Sequence, residues 1–395
     1  MKNLIFIPYH DIYDYDNSGI MTREYAMLLL FSESGIKDLY CIGKPRTLLD
    51  AKYYSNKNNF PELSYEYLLK QQINGSKKLR YFTCLNSDVF LKKRSWWPKG
   101  YNKLVEKLEK EKIDFENTIL YSNNPFAYGL IEYCHKKGAT IIFDMMDNFC
   151  EHPSLNEEER NTALKGYSII SKIANFFSCN SMAIKQFCNT SFNIHPILIK
   201  NGVFPPRLLK GLESSQYTTF LNEKKKYKRT VGYIGKLGLR INEEIIVEIS
   251  KQCPDTLFVF IGPHLKDQKN LELMKIIKSQ KNILYLGPVS SVYIYSFLTK
   301  FDVLSIPHAV GKRENGGDPL KLYQYLNTGR PVITTPILGV NEFKDIIRIT
   351  NNTGEWIEFI NNEEYKSLRN YNIPSNIYWN NRAKPLIDFI ENTTK

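Results

Sequence analysis

The sequence lacks the cysteine patterns of a disulfide framework or a zinc site. Its seven cysteines lie far apart, at positions 41, 84, 134, 150, 179, 188 and 253, and no two form a CxxC pair. An odd, unclustered set in a chain of 395 residues is typical of reduced and mostly buried thiols. The cysteine usage therefore favours a cytoplasmic protein without structural zinc.

The sequence also lacks a long apolar run. The longest run, around residues 26–31, is far shorter than the roughly 20 residues that span a bilayer. The first residues, MKNLIFIPYHDIYDYD, hold an apolar run too short for a signal peptide and reach acidic residues at once. No internal repeat is visible either. We therefore expect a protein that is neither secreted nor embedded in a membrane.

Positive charge is in excess, with a formal net charge of +12. A generally basic surface explains this, whereas nucleic acid and anionic lipid are the sharper interpretations. No nucleic-acid-binding signature accompanies the charge, so we expect no nucleic-acid partner. The stretch from Lys92 to Lys99, KKRSWWPK, places cations around two adjacent tryptophans, which suits peripheral contact with an anionic membrane at its cytoplasmic face. A loop whose tryptophans pack inward is the alternative.

Both halves of the chain alternate strand and helix patterns. With 43% hydrophobic and 24% charged residues, a chain of this length suits a soluble protein of two domains. The alternation predicts two doubly wound parallel sheets of the α/β class. Pro205, Pro206 and the charged run 223–229 predict a linker between them.

The stretch 230–336 carries the strongest functional pattern. An apolar strand at 231–234 leads into a glycine-containing turn and then a helical pattern from Ile241, and a second strand at 302–307 leads to a Gly-rich loop and a helix near Pro319. Strand, loop and helix in this order aim backbone N–H groups at an anion. Two such loops with Lys or Arg beside them suit a diphosphate.

The passages VGYIGKLGLRINEEIIVEI, DTLFVFIGP and DPLKLYQYLNTGRPVITTP together resemble the donor half of GT-B glycosyltransferases, in particular the bacterial polysaccharide-assembling enzymes of glycosyltransferase family 4. The resemblance implies two Rossmann-like domains that face a central cleft, with a C-terminal helix that crosses back to the first domain. The acceptor-side domain would comprise residues 1–203 and 378–395, and the donor domain residues 204–377. The implied function is retaining transfer of a sugar from a nucleotide sugar to a surface-glycan or lipid-linked acceptor.

The resemblance also implies a donor site. Lys236 and Arg240 would bind the diphosphate, with Lys321 as a further cation, while Val289 and Gln324 would lie at the base and ribose. Many family 4 enzymes carry two glutamates with seven residues between them, and this sequence has Gly316 and Gln324 in their places. The sugar would then fall to a set of nearby residues: Glu314, Asn315, Gly316, Gly317 and Asp318. No metal or other cofactor is implied, and the donor would be linked to UDP or GDP.

Two carboxylates, Asp144 and Asp147, follow a predicted strand at 140–143. Either could act as a base on an acceptor hydroxyl or stabilise positive charge on the sugar. A turn cap or an ion pair is the alternative, and the histidine that family enzymes often carry before this aspartate is replaced by Met146. Three further residues are expected on the acceptor side: Ser18, Gly19 and Asn124.

Two other functions stay open at this point. A sugar-nucleotide epimerase shares the two-domain shape, although the PLKLYQYL helix argues against it. A non-catalytic glycan-binding or scaffold protein would explain the absence of both glutamates.

Overall fold

The computed structural model describes most of the chain, with gaps. The described residues are 2–10, 22–33, 36–47, 79–86, 94–152, 154–205, 214–265, 270–289, 293–311, 318–368 and 371–394. Among them, no helix is both long enough and apolar enough to cross a membrane.

The chain divides into two compact units. The first comprises Met1–Lys200 and Arg382–Lys395, and the second comprises Asn201–Asn381. The sequence placed these boundaries after residues 203 and 377.

The first unit is built on a seven-stranded parallel sheet. Along the chain, its strands and those of a small two-stranded sheet are β1 (Asn3–Ile7), β2 (Leu39–Ile42), β3 (Arg46–Thr47), β4 (Leu79–Phe82), β5 (Leu85–Asn86), β6 (Thr118–Ser122), β7 (Thr140–Met145), β8 (Phe176–Cys179) and β9 (Ile197–Leu198). The strand order is β4-β2-β1-β6-β7-β8-β9, and β3 pairs with β5. Every pairing is parallel, so the carboxyl ends of the strands share one edge of the sheet.

The helices of this unit follow its strands. They are α1 (Arg23–Glu33), α2 (Trp97–Asn102), α3 (Val105–Lys110), α4 (Tyr128–Lys136), α5 (Glu157–Ile173) and α6 (Met182–Phe192). The longest, α5, begins with a capping box in which Asn156 and Glu159 satisfy each other's backbone N–H groups. The helices α2 and α3 do not form one continuous helix, because they are separated at residues 103–104.

The second unit has a six-stranded parallel sheet in the order β12-β11-β10-β13-β14-β15. Its strands are β10 (Arg229–Ile234), β11 (Thr256–Ile261), β12 (Ile283–Gly287), β13 (Val303–Ile306), β14 (Val332–Thr334) and β15 (Arg348–Ile349). Its helices are α7 (Ser215–Lys224), α8 (Glu243–Gln252), α9 (Leu271–Ser279), α10 (Ile294–Leu298), α11 (Leu320–Leu326) and α12 (Thr353–Asn361). A short helix, α13 (Trp379–Arg382), lies at its boundary with the first unit along the chain. The predicted linker 223–229 is wrong, because this run ends α7 and begins β10.

Apolar residues cover both faces of the second sheet. Val231 and Tyr233 of β10 belong to one buried cluster, whereas Ile234 belongs to another. Since successive side chains of a strand point to opposite faces, the two clusters lie on opposite sides of the sheet. A strand buried on both faces explains the unbroken apolar pattern of this segment.

The last helix, α14 (Lys384–Thr394), packs within the first unit. Its Phe389 ring lies 5.0 Å from the ring of Phe176 at the start of β8. Leu386 and Ile390, on the same face, are buried. The return of the C-terminal helix to the first unit is thus confirmed.

Candidate functional site

The loop after β10 is held tightly against its neighbours. Gly235 has φ +152° and Gly262 has φ +137°, backbone angles that residues with a side chain rarely adopt. A Cβ on Gly262 would lie 2.1 Å from the carbonyl oxygen of Gly235, and a Cβ on Gly235 would lie 2.6 Å from Nζ of Lys321. The two glycines therefore allow the loop backbone to lie directly beside the Lys321 ammonium.

Lys321 lies in the first turn of α11 and contacts two neutral groups. Its Nζ donates to Oη of Tyr233 at 2.6 Å and lies 3.1 Å from Nε2 of His308. It also lies 4.1 Å from the centre of the Tyr233 ring, within range of a cation–π contact. Among the described residues, no carboxylate pairs with it.

Lys236, Arg240 and Lys321 lie near one another and form a cation cluster beside the loop that contains Gly235. Their surroundings disfavour positive charge on Lys321 and on His308. Burial, followed by the charges of Arg240 and Lys236, holds the pKa of Lys321 well below its usual range. Burial, followed by Lys321 and Arg240, likewise lowers the pKa of His308 well below its ordinary value. His308 is therefore neutral at physiological pH and does not add to the positive charge of Lys321.

Arg240 is a second cation near Lys321. Its Nε is buried and has no hydrogen-bond partner within the described part of the chain. Lys236, which is exposed, completes the set of three predicted cations around the Gly235 loop. An anion with several oxygens, such as a diphosphate, fits this arrangement because it would neutralise the cations and satisfy their N–H groups.

The N-terminus of the helix after this loop is already occupied in part by its own side chains. The helix α8 begins eight residues after Gly235, and the side chain of its N-cap, Asn242, accepts from two of its free N–H groups. Its first turn also carries Glu243 and Glu244, whose charges repel an anion. Anion binding at this loop therefore depends mainly on the side chains of Lys236, Arg240 and Lys321.

Asp318 does not suit the sugar-binding role predicted for it. It is buried, one of its carboxylate oxygens accepts from the Asn201 backbone N–H, and the other accepts from the Tyr323 hydroxyl. Its backbone carbonyl also accepts from the Asn201 side chain. Asp318 thus fixes the start of α11. The other predicted sugar ligands, Glu314, Asn315, Gly316 and Gly317, lie outside the described residues.

The predicted base and ribose residues occupy different surroundings. Val289, after β12, is partly buried and packs against the apolar cluster that contains Ile234. Gln324 is partly exposed on α11, between the buried Tyr323 and Tyr325. Their roles stay predictions.

In the first unit, Asp144 is an ion-pair residue and does not suit the predicted catalytic role. It is 1% exposed, and its carboxylate accepts hydrogen bonds from Nε of Arg23 at 2.6 Å and from a second nitrogen of the same guanidinium at 3.0 Å. The hydroxyls of Tyr121 and Ser178 each donate to it at 2.8 Å. Burial alone would raise the pKa of Asp144, yet the charge and hydrogen bonds of Arg23 lower it. A carboxylate with these four contacts is poorly placed to take a proton from a substrate.

Asp147 differs from Asp144, because it is exposed after the end of β7. Its backbone carbonyl accepts from the hydroxyl of the buried Tyr167 at 2.8 Å, which fixes the chain at this point. The exposed carboxylate is compatible with the predicted acceptor role, which stays a prediction.

The other acceptor-side predictions have separate outcomes. Asn124 is fully buried, caps the turn after β6 by accepting from the Phe126 N–H, and donates to the Tyr101 hydroxyl at 2.7 Å. These contacts make it a structural residue. Ser18 and Gly19 lie outside the described residues.

A histidine–carboxylate pair at the carboxyl end of β1 was missed by the sequence reasoning. Nδ1 of His10 lies 2.8 Å from Oε2 of the fully buried Glu24, whose Oε1 accepts from the backbone N–H groups of Tyr9 and His10. Burial alone would raise the pKa of Glu24, but the charge and hydrogen bonds of His10 lower it. A carboxylate at Nδ1 fixes the ring and favours proton exchange at Nε2. No sequence motif marks a pair that is 14 residues apart.

The stretch from Lys92 to Lys99 packs inward in part, whereas Lys99 is exposed. The Trp97 ring lies 5.8 Å from that of Tyr9 and 5.7 Å from that of Phe126. Arg94 lies 3.5 Å from the carboxylate of Glu159. Lys92 and Lys93 lie outside the described residues. The inward-packing alternative therefore fits Trp97, and membrane contact through this ring does not.

The comparisons with known proteins agree on the fold. No protein-family model matches the chain. It is 26% identical over 107 residues to TuaH of Bacillus subtilis (strain 168), named a candidate teichuronic acid biosynthesis glycosyltransferase, and the match covers 27% of this chain and about a quarter (26%) of that relative.

Solved structures similar to the chain over nearly its whole length include two that act on sugars or bind a nucleotide by their names. Anabaena HepE, in complex with UDP and glucose, has a TM-score of 0.61 and 14% identity over 100% of this chain and 97% of its own. The lipopolysaccharide outer core galactosyltransferase WaaB, in its apo form, has a TM-score of 0.57 and 11% identity over 99% of both chains. Together with the two parallel sheets, these similarities show that the chain has the GT-B fold.

Proposed function

We propose that this protein is a glycosyltransferase, of family 4 type, that moves a sugar from a nucleotide sugar to a hydroxyl of a surface-glycan or lipid-linked acceptor. The cation cluster beside the Gly235 loop carries the proposal. Arg240 and Lys321 have no balancing carboxylate among the described residues, and an unpaired cation in a partly buried site is costly unless a ligand balances it. A nucleoside diphosphate group supplies the required negative charge.

The comparisons support the class of donor and acceptor. HepE was solved with UDP, which makes UDP the first donor nucleotide to test. The names of TuaH and WaaB refer to teichuronic acid and lipopolysaccharide, both of which are surface polysaccharides. We therefore propose a UDP-linked donor, with GDP as the second choice, and an acceptor from polysaccharide assembly.

The proposed chemistry rests on stabilisation of the leaving group. As the bond between the anomeric carbon and the diphosphate oxygen breaks, negative charge grows on that oxygen, and Lys236, Arg240 and Lys321 would stabilise it. The acceptor oxygen bonds to the anomeric carbon on the same face, and its proton passes to the departing diphosphate, which gives retention. Because three cations neutralise the leaving group, we propose transfer without a metal. Asp147 is the proposed carboxylate on the acceptor side.

The cysteines support work in a reducing compartment. All seven are free in the structure, and only Cys150 is more than slightly accessible. We propose a cytoplasmic location on this ground.

A thermal-shift screen tests the donor site. Wild type, Arg240→Met and the exposed control Lys344→Met would be heated with UDP, GDP, CMP, ADP or dTDP, with and without EDTA. A ligand at about 100 times its Kd adds roughly 2.7 kcal/mol to the free energy of unfolding. We expect one diphosphate to raise the Tm of wild type and of the control, in EDTA as well, and to act less on Arg240→Met. No shift with any nucleotide would contradict the proposal.

Turnover assays distinguish a glycosyltransferase from the two alternatives, an epimerase and a scaffold protein. With a panel of UDP-sugars and no acceptor, slow release of UDP supports a transferase. Conversion of a UDP-sugar to its epimer without net release of UDP would instead indicate an epimerase, and binding without any conversion favours a scaffold protein. NMR of the anomeric proton in the transfer product tests retention.

A further inference from the structure

The surroundings of Lys321 suggest how the site responds to its ligand, on the assumption that the proposed donor function holds. We propose that Tyr233 and His308 are positioning residues that hold the Lys321 ammonium beside the Gly235 loop, and that a diphosphate binding there takes up a proton from solvent. All of the contacts that hold Lys321 lie within the second unit.

The hydrogen bonds fix which group donates. The Tyr233 hydroxyl has one proton and donates it to the carbonyl oxygen of Lys236 at 3.0 Å. Its oxygen is then an acceptor for Lys321, as is Nε2 of His308. With the Lys321 ammonium as the donor to Nε2, His308 carries its ring proton on Nδ1. Two neutral acceptors direct the N–H groups of Lys321 without neutralising its charge.

The groups that face Lys321 from each described element are neutral or positive. Tyr233 comes from β10, Lys236 and Arg240 come from the loop after it, and His308 follows β13. With no carboxylate of the described residues beside it, Lys321 binds its proton less tightly than an exposed lysine does. A diphosphate reverses this balance, because its negative charges favour the protonated ammonium.

The direction of the pH effect follows from linkage. Burial and the neighbouring cations lower the pKa of Lys321 in the empty site, and a bound diphosphate raises it. Between the two values the complex holds a proton that the empty site lacks. The affinity for a diphosphate should then fall as the pH rises, by up to about tenfold per pH unit.

Calorimetry with two probes, UDP and inorganic pyrophosphate, measures this proton. Titrations would run from about pH 7.5 to about pH 9, where the terminal phosphate of UDP is ionised because its pKa is about 6, in two buffers of different ionisation enthalpy. Wild type should take up a fraction of a proton from UDP binding that grows with pH, whereas Lys321→Arg, whose guanidinium stays charged, should bind UDP without proton uptake. Pyrophosphate itself exchanges a proton in this range, so its uptake at Lys321 is the difference between wild type and Lys321→Arg.

The role of His308 has its own pair of variants. His308→Leu removes the acceptor at Nε2, and we expect the affinity for UDP to fall roughly threefold to tenfold. His308→Gln offers an amide oxygen at a similar position and should recover most of the affinity. A purely structural role would lower the Tm of the empty protein in both variants and leave the proton uptake per bound ligand unchanged.

The outcomes separate this inference from the donor proposal. If pyrophosphate binds with proton uptake but no nucleotide binds, the inference stands and the donor proposal fails. If UDP binds with the same affinity at every pH and the same heat in both buffers, the inference fails and the donor proposal stands. If neither probe binds, both fail. Wild-type affinity in His308→Leu overturns its positioning role.

Discussion

Replacing Lys321 by methionine removes one charge from the cation cluster and keeps a side chain of similar length. The bound diphosphate would lose a charge-assisted contact, which contributes roughly 1.5–3 kcal/mol. This corresponds to a Kd for UDP that is about 10-fold to about 150-fold higher. The variant leaves Tyr233 with its hydrogen bond to the Lys236 carbonyl, so the loop keeps that support.

The same substitution should not destabilise the empty protein. Burial and two neighbouring cations lower the pKa of Lys321 below 10.5. A lysine whose folded pKa is lowered binds its proton more weakly in the folded than in the unfolded chain, so its charge opposes folding at every pH below the folded value. Removing the charge relieves this cost, whereas losing the hydrogen bonds to Tyr233 and His308 costs about 1 kcal/mol each. We therefore expect a Tm at neutral pH close to that of wild type.

Calorimetric titration with UDP and thermal unfolding of the empty protein test the pair of effects. Lys344→Met, an exposed lysine of the same unit, is the control and should change neither quantity. An unchanged Kd for UDP would refute the assignment of Lys321 to the diphosphate. A Tm well below that of wild type would refute the electrostatic account of the cluster.

Three further substitutions test other parts of the structure. Arg23→Met leaves the buried Asp144 without its cation and should lower the free energy of unfolding by about 3–5 kcal/mol in urea titrations. The pKa of Glu24 is lowered from 4.5 in the folded protein, so its carboxylate stabilises the fold above pH 4.5 and this stabilisation is lost as the pH falls through the folded pKa. Glu24→Gln should therefore flatten the dependence of Tm on pH in acid. Gly262→Ala, whose Cβ would lie 2.1 Å from the Gly235 carbonyl, should lower Tm and weaken UDP binding together; an unchanged Kd would show that the loop does not shape the site.

Features with local causes could be predicted from the sequence. The strand β10 is a short apolar run, and α11 lies between Pro319 and Gly329 as the helix signals indicated. The longest helix of the first unit, α5, begins directly after its N-cap Asn156, a residue type that favours this position. Apolar periodicity and caps act over a few residues, so a single sequence displays them.

Features that depend on distant partners could not be predicted. Asp144 and Asp147 look alike in the sequence. In the structure Asp144 is buried and paired with the guanidinium of Arg23, 121 residues away, whereas Asp147 is exposed. Asp318 sits beside the Gly-rich loop, yet the backbone of Asn201 and a tyrosine hydroxyl occupy its carboxylate. The predicted cations at the loop were easier to find, because glycine turns and basic residues are adjacent in the chain.

A structure of the protein with UDP bound tests the central claim most directly. We predict that the diphosphate lies beside the Gly235 loop, with its oxygens about 2.7–2.9 Å from Nζ of Lys321 and from the guanidinium of Arg240. A diphosphate bound elsewhere, with Lys321 still in contact only with Tyr233 and His308, would contradict the proposed donor site.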